Sequence, residues 1–301
     1  MFSIAPHDDT QAPMAPMASL ASLASLSSLS GDGFPGMASA EFMTSAANAP
    51  SLRFQKPALF LLSSLFRADY LGKRTQVSAH ALATVARAKV LLYTGETLDQ
   101  FDLDILLYCA QQPRAATGCM VAPAQLLKEL HLRHDERNRT RLFESLARLH
   151  GACLEVRKGG YRYLTRLLNR LLLDDTATSC LVEVNDEILQ TLGRSPQQGA
   201  RRQDRYALGR EGFDKWLHGA MSIFAAGFEA DVSRLQQLMG QERRPQKAFL
   251  DDLARSLDRL RAADCIAGHE LALDGPAPRV VICGQRHQTI NACGFLQQAA
   301  D

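Results

Sequence analysis

The chain has 301 residues, 46% hydrophobic and 22% charged, which allows one large domain or two small ones around a sizeable core. The formal net charge is +2, yet residues 1–50 hold Asp8, Asp9, Asp32 and Glu41 and no Lys or Arg, so 51–301 sets 34 basic residues against 28 acidic ones, about +6. No run approaches the roughly 20 apolar residues of a membrane span, the N-terminus lacks the basic stretch of a signal peptide, and the seven scattered cysteines form no CxxC pair. These features disfavour a membrane protein or a zinc site and lead us to expect a cytoplasmic chain with reduced thiols.

Residues 1–50 are rich in Ala, Ser, Met and Pro, with Ser-Leu-Ala recurring at period three between Met17 and Ser30. That period builds neither a helical nor a strand face, so the segment is expected to be disordered. Met37 and Met43 are candidate internal starts. In the apolar stretch 52–71, Gln55-Lys56-Pro57-Ala58-Leu59-Phe60 and Ser64-Leu65-Phe66 have the form of short Gln…Leu-Phe peptides that dock into sliding clamps. The plainer expectation is that this stretch packs on the first domain.

A short strand is expected over 89–94. Thr97 with Gln100 fits a capping box, and Leu98, Phe101, Ile105, Tyr108 and Cys109 trace a helical face ending near Gln112. Residues 118–121 suit a strand. Pro123 suits a first helical turn, with Leu126, Leu127 and Leu130 as the face behind it. Asp135 can cap a third helix that has Leu142, Leu146 and Leu149 on one side and Arg137, Asn138, Arg141 and Arg148 on the other. Gly151 suits the helix end. Leu154 and Val156 then alternate as in a half-buried strand, Lys158-Gly159-Gly160-Tyr161 suits a two-residue hairpin turn, and a return strand is expected from Tyr161 to about Leu173. Cys180, Val182 and Val184 alternate in a further strand, and Asn185 can cap a helix carrying Ile188 and Leu192.

Residues 194–203 are polar and read as a linker or exposed loop. After them, Phe213, Leu217, Ala220, Met221 and Phe224 share a helical face, and Asp231 can cap a helix bearing Leu235, Leu238 and Met239, closed by Gly240. Pro245 opens a second basic helix with Leu250, Leu253, Leu257 and Leu260 inward. Residues 266–273 and 279–283 can form a second wing hairpin around Asp274-Gly275-Pro276. Ser145-Leu146-Ala147-Arg148-Leu149 recurs as Ser256-Leu257-Asp258-Arg259-Leu260, followed by Cys153-Leu154 in one place and Cys265-Ile266 in the other.

A basic helix followed by a basic hairpin is how a winged helix meets DNA, with the helix in the major groove and the wing on the backbone. The expected fold is therefore α+β and mostly helical, with two tandem winged-helix domains after a disordered N-terminal segment. The expected divisions are 1–50 (disordered), 51–195 (first domain), 204–285 (second domain) and 286–301 (tail). On the first basic helix the DNA-facing candidates are Arg137, Asn138, Thr140 and Arg141, with Arg139 on phosphate. Arg157, Lys158 and Arg162 are candidates for backbone contact from the wing. On the second helix the candidates are Arg243, Arg244, Gln246, Lys247 and Arg255, near a positive dipole end that favours phosphate. Solvated helix faces explain any single arginine; two clusters at equivalent positions favour DNA. Arg148 and Arg259 end their helices and are expected to meet C-terminal carbonyls. Trp216 is expected in the core.

Catalytic signals are weak. There is no phosphate-binding loop with a Walker lysine and no HxH array for a nicking enzyme. His131, His134 and His150 have no carboxylates arranged with them to hold a metal. Tyr161 and Tyr163 sit in a strand, where packing is the default. We expect no enzymatic activity and no cofactor.

Tyr93-Thr94-Gly95-Glu96-x-Leu98 with Asp102 and Asp104, Ser64-Leu65-Phe66, the stretch from Arg139 through Leu149, and Val182-x-Val184-Asn185-x-Glu187 together resemble plasmid replication initiators of the TrfA type. The likeness spans about 60–285 and is most specific over 60–193. It implies a two-winged-helix initiator that binds direct repeats (iterons) at an origin and opens an adjacent AT-rich stretch. It also implies contacts with host helicase, host initiator and sliding clamp, and a possible homodimer through the first module. A winged-helix repressor of its own promoter is the alternative, and an interaction module with degenerate wings is a third reading.

Overall fold

The computed structural model describes residues 61–85, 90–113, 118–158, 160–174, 178–192, 196–273 and 277–284. The low-complexity segment, the 55–60 peptide, the tail 286–301 and the side chain of Lys158 lie outside the described residues. Among those residues there are twelve strands and eight helices. The strands are β1 (Phe66–Arg67), β2 (Gln76–Ala81), β3 (Val90–Glu96), β4 (Leu98–Asp99), β5 (Cys119–Val121), β6 (Cys153–Lys158), β7 (Tyr161–Arg166), β8 (Leu168–Leu173), β9 (Cys180–Val184), β10 (Gly227–Asp231), β11 (Gly268–Ala272) and β12 (Arg279–Cys283). The helices are α1 (Gln100–Gln111), α2 (Pro123–Glu129), α3 (Glu136–Gly151), α4 (Asp186–Leu192), α5 (Pro196–Ala207), α6 (Gly212–Ile223), α7 (Val232–Leu238) and α8 (Gln246–Ala262). The class is α+β, and the expectation of a mostly helical chain is corrected by four sheets.

The same order of elements occurs twice. In α1–β5–α2–α3–β8–β9 the strands form a sheet in the order β5-β9-β8, and in α6–β10–α7–α8–β11–β12 they form one in the order β10-β12-β11; every pair is antiparallel. Glycine opens the first strand each time. Gly118 (φ +127°) and Gly227 (φ +110°) adopt positive φ, where a Cβ would stand 2.7 Å from the Val182 carbonyl oxygen and 2.1 Å from that of Ile282. Only a residue without a side chain fits there.

The first copy carries an insertion. Between α3 and β8 the hairpin β6–β7 joins β2 and β3 in a four-stranded antiparallel sheet, order β2-β3-β6-β7. The expected single return strand over 161–173 is thus two strands in different sheets. Its break is Leu167, fully buried, whose carbonyl accepts from the Asn185 amide at 3.1 Å. Adjacent apolar residues at 167 and 168 end the alternation that Tyr161, Tyr163 and Thr165 had kept, so the chain changes sheets there.

Helix starts follow local chemistry. Asp99, not Thr97, caps α1: its carboxylate accepts from the Phe101 and Asp102 amides, and the Asp102 carboxylate accepts from the Asp99 amide at 2.9 Å. Thr97 Oγ1 accepts from the Thr75 amide instead. Asp135 caps α3, accepting from the Asn138 amide at 2.8 Å. The polar stretch expected as a linker or loop over 194–203 is in large part helix α5.

Two hydrophobic cores result. The first gathers α1, α2, α3 and the strands around them; the second gathers α6, α7, α8 and sheet β10-β12-β11. On α3, Leu142, Leu146 and Leu149 are inward; on α8, Phe249, Leu253, Leu257 and Leu260 are, with Leu250 only half-buried. Trp216 lies in the second core. Leu65 and Phe66 belong to the first core and Leu62 and Ala68 to the second, so 62–68 packs on both. Cys109, Cys119 and Cys180 are buried in the first core, Cys265 is half-buried at the edge of the second, and Cys283 is exposed. No helix among the described residues is long and apolar enough to cross a membrane.

Candidate nucleic-acid interface

In each copy, the long helix with basic residues toward its N-terminus is stapled to the first helix of that copy. Asp102 on α1 accepts from Ser145 Oγ at 2.5 Å and from Arg148 Nη2 at 3.0 Å on α3. Asp214 on α6 accepts from Ser256 Oγ at 2.5 Å and from Arg259 Nε and Nη2, both at 2.7 Å, on α8. Arg148 and Arg259 therefore bind buried carboxylates, which corrects their expected role on C-terminal carbonyls. The recurring Ser-Leu-x-Arg-Leu pattern is one half of this staple. The other half is Phe101-Asp102 and Phe213-Asp214, 43 and 42 residues before the paired serine. Sequence reading missed it because two residues so far upstream carry no local signal.

With the helices fixed in this way, the candidate side chains separate by environment. Arg137 and Thr140 are exposed on α3, and Arg141 is half-buried. Arg139 pairs with Glu136 one turn away. Asn138 is corrected as a base-reading candidate: it is 6% exposed, and its amide donates to the Arg133 carbonyl at 2.9 Å, bracing the loop before α3. On the second copy Arg243, Gln246 and Lys247 are exposed at the start of α8. Arg244 and Arg255 both pair with Asp252, and Arg244 also lies 5.6 Å from the centre of the Phe213 ring. Lys247 and Arg243 thus carry the least-compensated charge of that cluster.

The residues expected in a first wing lie in a different sheet from β5, β8 and β9. Arg157 and Arg162 lie on β6–β7, which pairs with β3 rather than with β5 or β9. Both guanidiniums grip Glu155, at 2.5 and 2.8 Å, and their hydrogen bonds hold that carboxyl down at about 2. Lys158 is in β6, opposite Tyr161. The hairpin equivalent to β11–β12 is β8–β9, and its exposed cation is Arg170, 3.6 Å from Glu183. The sequence hid Arg170 because 161–173 read as one strand. The change of pattern at 167–168 was the signal available.

The clamp-like Ser64-Leu65-Phe66 is also corrected. Leu65 and Phe66 are 2% and 1% exposed, and the Ser64 hydroxyl accepts from the Ala83 amide at 3.0 Å, so this stretch is not available to a partner. Among the described residues no group of His, Cys, Asp and Glu is placed to hold a metal ion. His131 and His134 are exposed and His150 is half-buried.

No protein-family model and no curated protein matches the chain. Among solved structures it is similar to the crystal structure of selenomethionine derivatives of domains 2 and 3 of RctB, with a TM-score of 0.52 and 12% sequence identity over 77% of this chain and 100% of that one. Another structure of RctB domains 2–3 overlaps 71% of this chain and 91% of its own length, at 13% identity and a TM-score of 0.43. The first likeness shows a shared fold over 77% of this chain.

Proposed function

We propose that this chain is a plasmid replication initiator that binds direct repeats at an origin through two winged-helix modules. In this reading α3 and α8 enter successive major grooves, and the hairpins β8–β9 and β11–β12 are the wings. The observation that carries it is the duplication: two equivalent helices, each stapled by the same Asp–Ser–Arg contact, each presenting exposed cations near its N-terminus. Two further supports are the sequence resemblance to TrfA-type initiators and a two-domain fold like that of RctB domains 2 and 3.

No phosphate-binding loop supplies ATP energy in this reading. Strand opening then draws on binding and bending free energy. Smooth deformation of a site costs on the order of 1–6 kcal/mol, within reach of several phosphate contacts. Host helicase, host initiator and clamp are the proposed partners once the origin is bound.

The test is titration of the full chain against labelled direct-repeat DNA from the replicon that encodes it, beside scrambled and inverted-repeat DNA, at several salt concentrations. Tight, salt-sensitive binding selective for direct repeats is expected. Selectivity for the inverted repeat transfers the protein to the repressor reading. Equal weak binding to all three returns the basic helices to ordinary solvated faces.

A further inference from the structure

The seam between the two cores is held by charge. Asp104, on α1 of the first copy, is fully buried. Its Oδ1 accepts from Arg205 Nε of α5 at 2.6 Å, and its Oδ2 accepts from Lys215 Nζ of α6, in the second copy, also at 2.6 Å. Arg205 also donates to Gln100 Oε1 at 2.8 Å and to the Lys215 carbonyl at 2.6 Å. The Lys215 ammonium lies 4.8 Å from the Tyr70 ring centre. Three elements thus converge on one carboxylate in a site closed to water.

A second attachment runs beside it. Strand β1 pairs in parallel with β4 of the first copy, while the next residue, Ala68, donates its amide to the Met239 carbonyl of the second copy at 2.8 Å. The Asp69 carbonyl accepts from the Gln100 amide at 3.1 Å, and its carboxylate accepts from Gln241 Nε2 at 3.1 Å. Gly212, at the start of α6, lies so near this strip that a Cβ there would stand 2.5 Å from the Asp69 carbonyl carbon.

An apolar seam tolerates small slides, because its attraction has no direction. A buried carboxylate shared between two cations does not, since a shift of about 1 Å leaves desolvated charge unpaired. Such contacts are best attested as devices that set register.

We propose that Asp104, Arg205 and Lys215, with the 66–69 strip, lock the two modules in one register, so that α3 and α8 contact DNA only at one spacing along the duplex. The spacing half of this proposal rests on the DNA-binding reading above; the lock does not.

The test uses the full chain and its Lys215→Met variant, which keeps the apolar stem and leaves Asp104 paired with Arg205. Without DNA, hydrogen exchange is followed by NMR at the Ala68 amide, which ties the strip carrying β1 to the second copy, and at amides inside β6 and β10. The variant is expected to speed exchange at Ala68 by about tenfold or more while the core amides change little. With DNA, binding is compared on one repeat and on the same repeat with about five base pairs, half a turn, inserted midway through the protected stretch. The wild type is expected to lose about a hundredfold on the spaced duplex, and the variant about tenfold or less. An Ala68 rate equal to wild type overturns the lock, and so does uniform acceleration across both cores, which assigns the triad to general stability. Equal spacing penalties in the two proteins overturn the register effect. A wild type that binds neither duplex overturns the initiator reading and the spacing half with it, while the exchange rates still decide the lock.

Discussion

The two staples are built from the same residues and sit in different surroundings. In the first copy Arg148 has 8% of its side chain exposed, and Arg74 binds the same Asp102 carboxylate from another side at 3.1 Å. In the second copy Arg259 is 45% exposed, and its second carboxylate is the exposed Glu211. One motif therefore serves as a buried node of the first core and as a surface brace of the second. The difference arises from what surrounds α1, which is packed against both copies and buried around nearly its whole circumference, whereas the α6–α8 contact lies nearer the surface. Sequence identity between two sites does not fix their energetic weight; desolvation does.

The sharpest way to break this comparison is a matched pair of substitutions. Asp102→Ala leaves Arg74 and Arg148 without their shared carboxylate and is expected to lose about 3–5 kcal/mol. Asp214→Ala, facing a solvent-reached arginine, is expected to lose about 1–3 kcal/mol. Urea unfolding of both variants measures the gap, and equal losses would mean that burial does not set the weight of the two staples.

Asp99 sharpens it through pH. Burial, with the neighbouring Asp102, raises its carboxyl from 3.8 to about 6. The folded state thus holds a proton that the unfolded state has released between those values, so the contribution of this group to stability falls as pH rises from about 4 to 6. Relative to Asp99→Asn, the wild type is expected to lose on the order of 1–3 kcal/mol over that interval, read from urea midpoints at pH 4 and 7. At the equivalent cap of the second copy, Glu211 makes no side-chain cap bond, and Glu211→Ala is expected to stay within about 0.5 kcal/mol of wild type.

Smaller effects separate binding from bracing on α3. Arg137→Ala is expected to flatten the log–log salt slope of DNA binding by roughly 0.9 with stability unchanged. Asn138→Ala is expected to leave the slope alone and lose about 1 kcal/mol, because its amide holds the Arg133 carbonyl. The reverse pattern would return Asn138 to the interface.

The order of elements was legible where one residue type forces one outcome. Pro123 and Asp135 mark helix starts, and the 3–4 spacing of Leu142, Leu146 and Leu149 marks a buried face. What escaped reading depends on distant partners. Asp102 and Asp104 look like an ordinary acidic helix start, yet one staples α3 and the other anchors the seam. The hairpin after α3 showed correct turn chemistry, but nothing local says which sheet it joins; its pairing with β3 settles that. Among the candidate site residues, exposure followed helical phase for Arg137, Thr140 and Lys247. It failed for Asn138, where a loop carbonyl rather than water received the amide.

The placement of sulfur gives the chain a one-sided clock. The first core holds Cys109, Cys119 and Cys180, all shut away, and burial pushes the Cys180 thiol up to about 11 and Cys109 well above its usual value. Neutral, enclosed thiols do not alkylate until the structure around them opens. The described cysteines of the second copy sit at its margin or on its surface. Half-buried Cys153 and Cys265 and exposed Cys283 are within reach of a thiol-reactive dye from the start, so absorbance that develops only during slow denaturation reports the opening of the first core.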